Sequence, residues 1–122
     1  MKICVTSQGD SLESAIDPRF GRCSYFIFVD AETMEFEALE NIQAQAMGGA
    51  GFQAGKTVAD KGAEVLLTGN VGPNAYRTLD AGGIEVFTKV SGTVKDAVEK
   101  YKKGELKKTD GPDVESHFGM KG

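Results

Sequence analysis

Apolar residues recur along this chain in two periods, and the switches between them outline eight elements. Lys2 to Ser7 is short and rich in β-branched residues, which reads as a first strand. Residues 8-23 are polar and broken by Gly9, Pro18 and Gly21, a long loop of the kind that often carries function in a small domain. Tyr25 to Asp30 is a second strand. Glu35 to Asn41 then places Phe36 and Ala38 on one face and Glu35 and Glu37 on the other, completing a hairpin whose third strand is a half-exposed edge. From about Ala50 to Lys61 the period becomes helical, with Ala54, Val58 and Ala59 in register and Gly62 placed to end the helix. Glu64 to Thr68 is an apolar strand. Pro73 opens a second helix with Ala75, Tyr76 and Leu79 on one face, closed by Gly82-Gly83, and Ile84 to Thr88 is a fifth strand. Thr93 and Asp96 resemble a capping box ahead of the stripe Val94, Ala97, Val98 and Tyr101, and Gly104 should stop that third helix.

The order β-β-β-α-β-α-β-α predicts an α/β fold. Strands one, four and five, joined through helices by right-handed crossovers, run parallel, and strand two returns antiparallel beside strand one. The result is a three-layer, five-stranded mixed sheet in the order 3-2-1-4-5 with helices on both faces, a ribonuclease H-like architecture. Residues 1-103 form one domain, and residues 104-122, rich in glycine and charge, read as a flexible C-terminal tail. Chain direction across the sheet reverses between strands one and four, so a ligand belongs in the crevice beyond their carboxyl ends.

Composition narrows the chemistry. Gly, at 16 of 122 residues, is about twice as frequent as the usual 7% or so, so close backbone approach matters. One His, His117, and two Cys, Cys4 and Cys23, nearly exhaust a tetrahedral zinc site and lack its paired spacing. Two Cys without a signal peptide fit a reduced cytoplasmic protein, and no apolar run is long enough to cross a membrane. Formal charge is -4, yet residues 95-108 hold six Lys against Asp96, Glu99 and Glu105. Only Tyr101 is interleaved with them, so this run reads as a solvated helix face rather than a nucleic-acid surface.

The segments leaving strands one and four are Ser7-Gln8-Gly9-Asp10 and Gly69-Asn70-Val71-Gly72-Pro73-Asn74. The second opens a helix whose free N–H groups could hold an anion, although both could be ordinary turns. Asp17-Pro18-Arg19-Phe20-Gly21-Arg22-Cys23 is denser: its guanidinium groups and a cation-lowered thiolate could meet one anionic ligand, with a structural Cys23 as the alternative. Cys4, mid-strand in the central strand, is a core thiol. Ala50-Gly-Phe-Gln-Ala-Gly-Lys-Thr57 imitates a P-loop, but Lys56 falls inside the predicted helix. Gly48, Gly49 and Gly51 are better used as backbone donors at that helix's start. His117 and Met120 lie in the tail and could ligate a metal or do nothing. No Gly-x-Ser-x-Gly elbow supports a hydrolase, and the first strand lacks the carboxylates of a two-metal nuclease.

Ser7-x-Gly9, Arg19-Phe-Gly-Arg-Cys23, Gly49-Ala-Gly51 and Thr68-Gly-x-x-Gly-Pro-Asn-Ala75, with Leu79 and Gly83-Ile84, together resemble the dinitrogenase iron-molybdenum cofactor biosynthesis family. That family includes NifX-type carriers, the C-terminal domain of NifB and small stand-alone proteins of anaerobes. The resemblance covers residues 1 to about 100. It implies a ribonuclease H-like fold and a protein that binds or carries a metal-sulfur cluster without catalysis. In the nitrogenase-linked branch a His precedes Phe-Gly where this chain has Arg19, and a guanidinium cannot ligate iron as imidazole does. The expectation is therefore a cytoplasmic, non-enzymatic carrier of an anionic iron-sulfur or molybdenum-containing cluster, bound transiently and without covalent attachment. Ser7, Gly9, Arg19, Phe20, Gly21, Arg22, Gly49, Gly51, Gly69, Asn70 and Gly72 would hold it, Cys23 would be a metal ligand, and cluster-assembly or acceptor proteins would be partners. The alternatives are an enzyme binding a phosphate ligand or nucleotide through the glycine loops and Lys56, and a regulatory interaction module without a cofactor.

Overall fold

The computed structural model describes residues 1-42, 49-109 and 111. Its elements are β1 (Lys2–Ser7), β2 (Tyr25–Asp30), β3 (Phe36–Glu40), α1 (Ala50–Asp60), β4 (Val65–Leu67), α2 (Pro73–Ala81), β5 (Glu85–Phe87) and α3 (Val94–Lys102). The sheet order is β3-β2-β1-β4-β5, with β1 parallel to β4, β4 parallel to β5, and the β1-β2 and β2-β3 pairs antiparallel. This is the architecture that the pattern predicts.

Alternation along β1 divides its side chains between two cores. Cys4 joins Phe26, Phe28, Leu66 and Val86 beneath Ala54 and Val58 of α1 and Ala75 and Leu79 of α2. Ile3 and Val5 join Ile27, Val29, Val65, Leu67 and Phe87 against Val94, Ala97 and Val98 of α3. The central strand is therefore covered on both faces, as expected of a strand joined to a parallel neighbour through a helical crossover. The Thr93-Asp96 capping box is present in both directions, fixing the start of α3.

Three local expectations change. Ala59 faces outward, so α1 buries Ala54, Gly55 and Val58 instead. Phe36 stays 43% exposed on the edge strand, while Leu39 on the opposite face packs against the first core. The start of the expected tail, through Thr109, runs along β5. Thr109 donates its N–H to the Val86 carbonyl at 2.8 Å, the Thr109 and Thr88 hydroxyls lie 2.7 Å apart, and Leu106 packs against the second core. His117 and Met120 lie outside the described residues, as does Gly48.

The long loop after β1 is stitched down rather than free. Ile16 and Phe20 are buried, Ser7 bridges Ile16, and Ala15 bridges Thr93. Asp17 donates its N–H to the Thr6 carbonyl at 3.0 Å and accepts the Thr6 hydroxyl on its own carbonyl at 2.7 Å. Thr6 in turn meets Thr68 at 2.8 Å, so the loop is tied to β1 at the point where β1 adjoins β4.

Candidate functional site

A cavity of about 410 Å³ opens just beyond β4, between the N-termini of α1 and α2. Three chain segments build it. Arg19 to Arg22 form one wall, Gly49 to Phe52 a second, and Asn70 with Gly72 to Ala75 a third.

The first and third walls are clamped through the backbone. Asn70 donates its N–H to the Pro18 carbonyl at 2.7 Å, and Phe20 donates to the Asn70 carbonyl at 3.2 Å. Gly69 makes this possible, because a Cβ there would lie 2.5 Å from Pro18 Cα and 2.7 Å from Pro18 O. The first and second walls meet at Gly21, whose φ of +93° and approach to the Gly51 backbone both favour glycine.

Each helix presents its positive end to the cavity. The N-cap residues are Gly49 and Gly72, neither start has a side-chain cap, and neither first turn contains an acidic residue. The first-turn N–H groups at Ala50, Gly51 and Phe52 therefore have no intrahelical acceptor, and nor do those at Asn74 and Ala75. The two dipoles add to the charge of Arg19 and Arg22 on the facing wall. Phe20, only 8% exposed, supplies an apolar floor, and Phe52, 51% exposed, stands at the rim.

Arg19 is oriented by Asp17, whose side chain is 2% exposed against 63% for Arg19. The Asp17 carboxylate accepts Arg19 N–H at 3.0 Å, Arg19 Nε at 3.2 Å, Arg19 Nη2 at 3.3 Å and Ser24 N–H at 3.3 Å. This hydrogen-bonded pairing raises the Arg19 pKa, so the guanidinium stays charged.

Of the residues proposed from sequence, Arg19, Phe20, Gly21, Arg22, Gly49, Gly51, Asn70 and Gly72 line one cavity. Gly69 acts from behind as the clamp. Ser7 and Gly9 are absent from the lining: the Ser7 hydroxyl is turned to Gly9, donating to its carbonyl at 2.7 Å. The crevice thus forms on the β4 side of the topological reversal, not at the end of β1.

Cys23 runs against its expected role as a ligand. It is fully buried and does not line the cavity. Burial, helped by the charge of Asp17, pushes its thiol up to about 12, the reverse of a cation-lowered thiolate. Asn41 holds it there, donating to the Cys23 carbonyl at 2.9 Å and the Gly21 carbonyl at 3.1 Å, with Cys23 Sγ at 3.8 Å. Cys4 is a buried core thiol, also raised by burial. Among the described residues no group of three or more His, Cys, Asp or Glu side chains could hold a metal ion. The described lining consequently suits an anion held by N–H groups and positive charge.

Lys56 also stays outside the cavity, pairing with Asp60 at 3.5 Å one turn along α1. The P-loop likeness therefore has no phosphate-facing lysine. Asp17 and Asn41, which organise the site, were not singled out from sequence; a buried Asp two residues before an Arg is a signal only once the loop is known to fold back.

These features define a small α/β domain with a cationic, amide-lined cavity at a sheet crevice. Residues 1-104 match the dinitrogenase iron-molybdenum cofactor family, and the chain belongs to that family. It is similar to the apo form of the orange protein from Desulfovibrio gigas, at 41% identity over 93% of this chain and 96% of that one, with a TM-score of 0.90. A candidate NifB protein from Thermotoga, solved by NMR, is 36% identical over 88% of this chain and 91% of its own, with a TM-score of 0.77. An uncharacterized protein of Methanocaldococcus jannaschii is 29% identical over 76% of this chain and 81% of its own length. Family membership associates the chain with the iron-molybdenum cofactor, in its binding or biosynthesis. Among the described residues no helix is long and apolar enough to cross a membrane.

Proposed function

We propose that this protein is a non-catalytic carrier whose cargo is an anionic metal-sulfur cluster, containing iron or molybdenum, taken up in the cavity between α1 and α2. The observation that carries the reading is the convergence of two uncapped helix N-termini with Arg19 and Arg22 on one cavity. A cluster with several negative charges gains from every one of these groups, and its sulfur surface suits the apolar floor and rim of Phe20 and Phe52. Binding through amides and guanidinium groups leaves no metal-side-chain bond to break, which suits a transient, non-covalent hold and later transfer to a cluster-assembly or acceptor protein. Cytoplasmic residence, where thiols stay reduced, fits the two free cysteines.

The test is uptake. Anaerobic protein is incubated with ferrous iron and sulfide, or with tetrathiomolybdate, then desalted and examined for metal content and visible absorption. Coloured, metal-containing protein is expected, with affinity falling as salt rises. Loss of at least about tenfold in affinity is expected in Arg19→Ala/Arg22→Ala, which removes two charge-assisted donors. Colourless, metal-free wild type in every arm overturns the reading. Protection by nucleotides that is lost in Lys56→Ala would favour a phosphate-ligand enzyme instead.

A further inference from the structure

We propose that Asp17 is the positioning residue of this site. It grips Arg19 side-on and so reserves the guanidinium's end-on fork for a cargo anion that presents two acceptor atoms side by side. The inference rests on the carrier reading above and adds to it a required geometry of the cargo.

The evidence is a chain of attachments from the sheet to the cavity wall. Thr6 on β1 holds the Asp17 backbone through both its carbonyl and its hydroxyl, and touches Thr68 just after β4. Asp17, almost wholly buried, directs one carboxylate oxygen to Arg19 Nε at 3.2 Å and the other to Arg19 Nη2 at 3.3 Å. Those two contacts use the side edge of the guanidinium. They leave the edge formed by the two Nη atoms, with its two parallel N–H groups, on a side chain that is 63% exposed and lines the cavity.

An exposed arginine without such a grip samples many rotamers and must be ordered when a ligand arrives. Here a buried carboxylate sets the orientation beforehand. The pair also explains why a buried charge is tolerated in a cationic site: Asp17 is satisfied by Arg19 and by the Arg19 and Ser24 backbone N–H groups. Lysine could supply the charge but neither edge of the fork, so Arg and Lys are not equivalent at this position.

The experiment is an anaerobic titration with tetrathiomolybdate, a tetrahedral anion whose sulfur atoms offer paired acceptors. It compares wild type, Asp17→Asn, Arg19→Ala, the double variant and Arg19→Lys, with thermal unfolding recorded for each. Asp17→Asn is expected to weaken binding about tenfold, and to have little further effect once Arg19 is alanine. Arg19→Lys is expected to weaken binding about tenfold although the charge is kept. The proposal is overturned if Asp17→Asn binds like wild type, or if it costs the same factor with and without Arg19, which marks a merely structural role. Should Asp17→Asn fail to fold, Arg19→Lys decides alone, because the altered side chain is exposed; wild-type affinity in that variant overturns the proposal. Wild type that takes up tetrathiomolybdate while the variants match it refutes only the positioning role. Wild type that takes up neither tetrathiomolybdate nor an iron-sulfide cluster refutes the carrier reading and this inference with it.

Discussion

Alkylation of Cys23 in the folded protein should be slower than that of a free thiol by about three orders of magnitude from ionisation alone. At pH 8 a thiol at its ordinary value of 9.0 is about one-tenth thiolate, whereas one pushed up to about 12 is thiolate in about 1 molecule in 10,000. Full burial slows the reaction further, since the reagent must wait for the 19-23 loop to open. The same shift has a thermodynamic consequence. The fold favours the neutral thiol, so this contribution to stability is complete below about pH 9 and is lost as pH rises through about 12. Cys4, raised by burial in the same core, acts in the same direction. Unfolding free energy should therefore fall above about pH 9, by up to about 1.4 kcal/mol per pH unit for each such thiol. Iodoacetamide labelling followed by intact mass, in buffer and in urea, measures the first effect, and urea titrations from pH 7 to 11 measure the second. Cys23 labelled in native buffer at the rate of free cysteine would refute the buried-thiol geometry and return Cys23 to the set of possible metal ligands.

Two substitutions probe the frame of the site. Gly69→Ala places a methyl group 2.5 Å from Pro18 Cα, where only backbone movement can relieve the contact, and should cost about 2–4 kcal/mol in urea unfolding while weakening cargo uptake. An unchanged unfolding midpoint would mean that the clamp between Pro18 and Asn70 is looser than its hydrogen bonds indicate. Thr93→Ala removes the side chain that caps α3 and should cost about 1 kcal/mol, with cargo uptake preserved because α3 lies across the sheet from α1 and α2. A loss of uptake without a loss of stability would contradict that separation.

The periodic parts of this fold were legible because each element reports its own buried face. Val94, Ala97 and Val98 repeat at helical spacing whatever they pack against, and the Thr93-Asp96 box announces itself within four residues. Three of the candidate segments were legible for a related reason: the glycines and arginines of Arg19 to Arg22, Gly49 to Gly51 and Asn70 to Gly72 lie in loops and a helix start at the carboxyl edge of a doubly covered sheet, where a ligand crevice forms. Ser7 and Gly9 in the remaining loop do not line it. What stayed hidden were contacts between segments. Asn41 acts on Gly21 and Cys23 across about 20 residues of chain, and Asp17 acts on Ser24 only because the loop folds back on itself. Cys23 illustrates the limit most directly. Two arginines within four residues suggest a lowered thiol, but burial of the thiol outweighs a nearby cation. Arg19 is paired with Asp17, the sulfur is buried in the core, and the Asp17 charge adds to the burial that raises it. The same carboxylate that adds to the thiol's rise hydrogen-bonds the guanidinium. A cavity built this way suits an anion met by charge and amides, and the Cys23 sulfur serves the core.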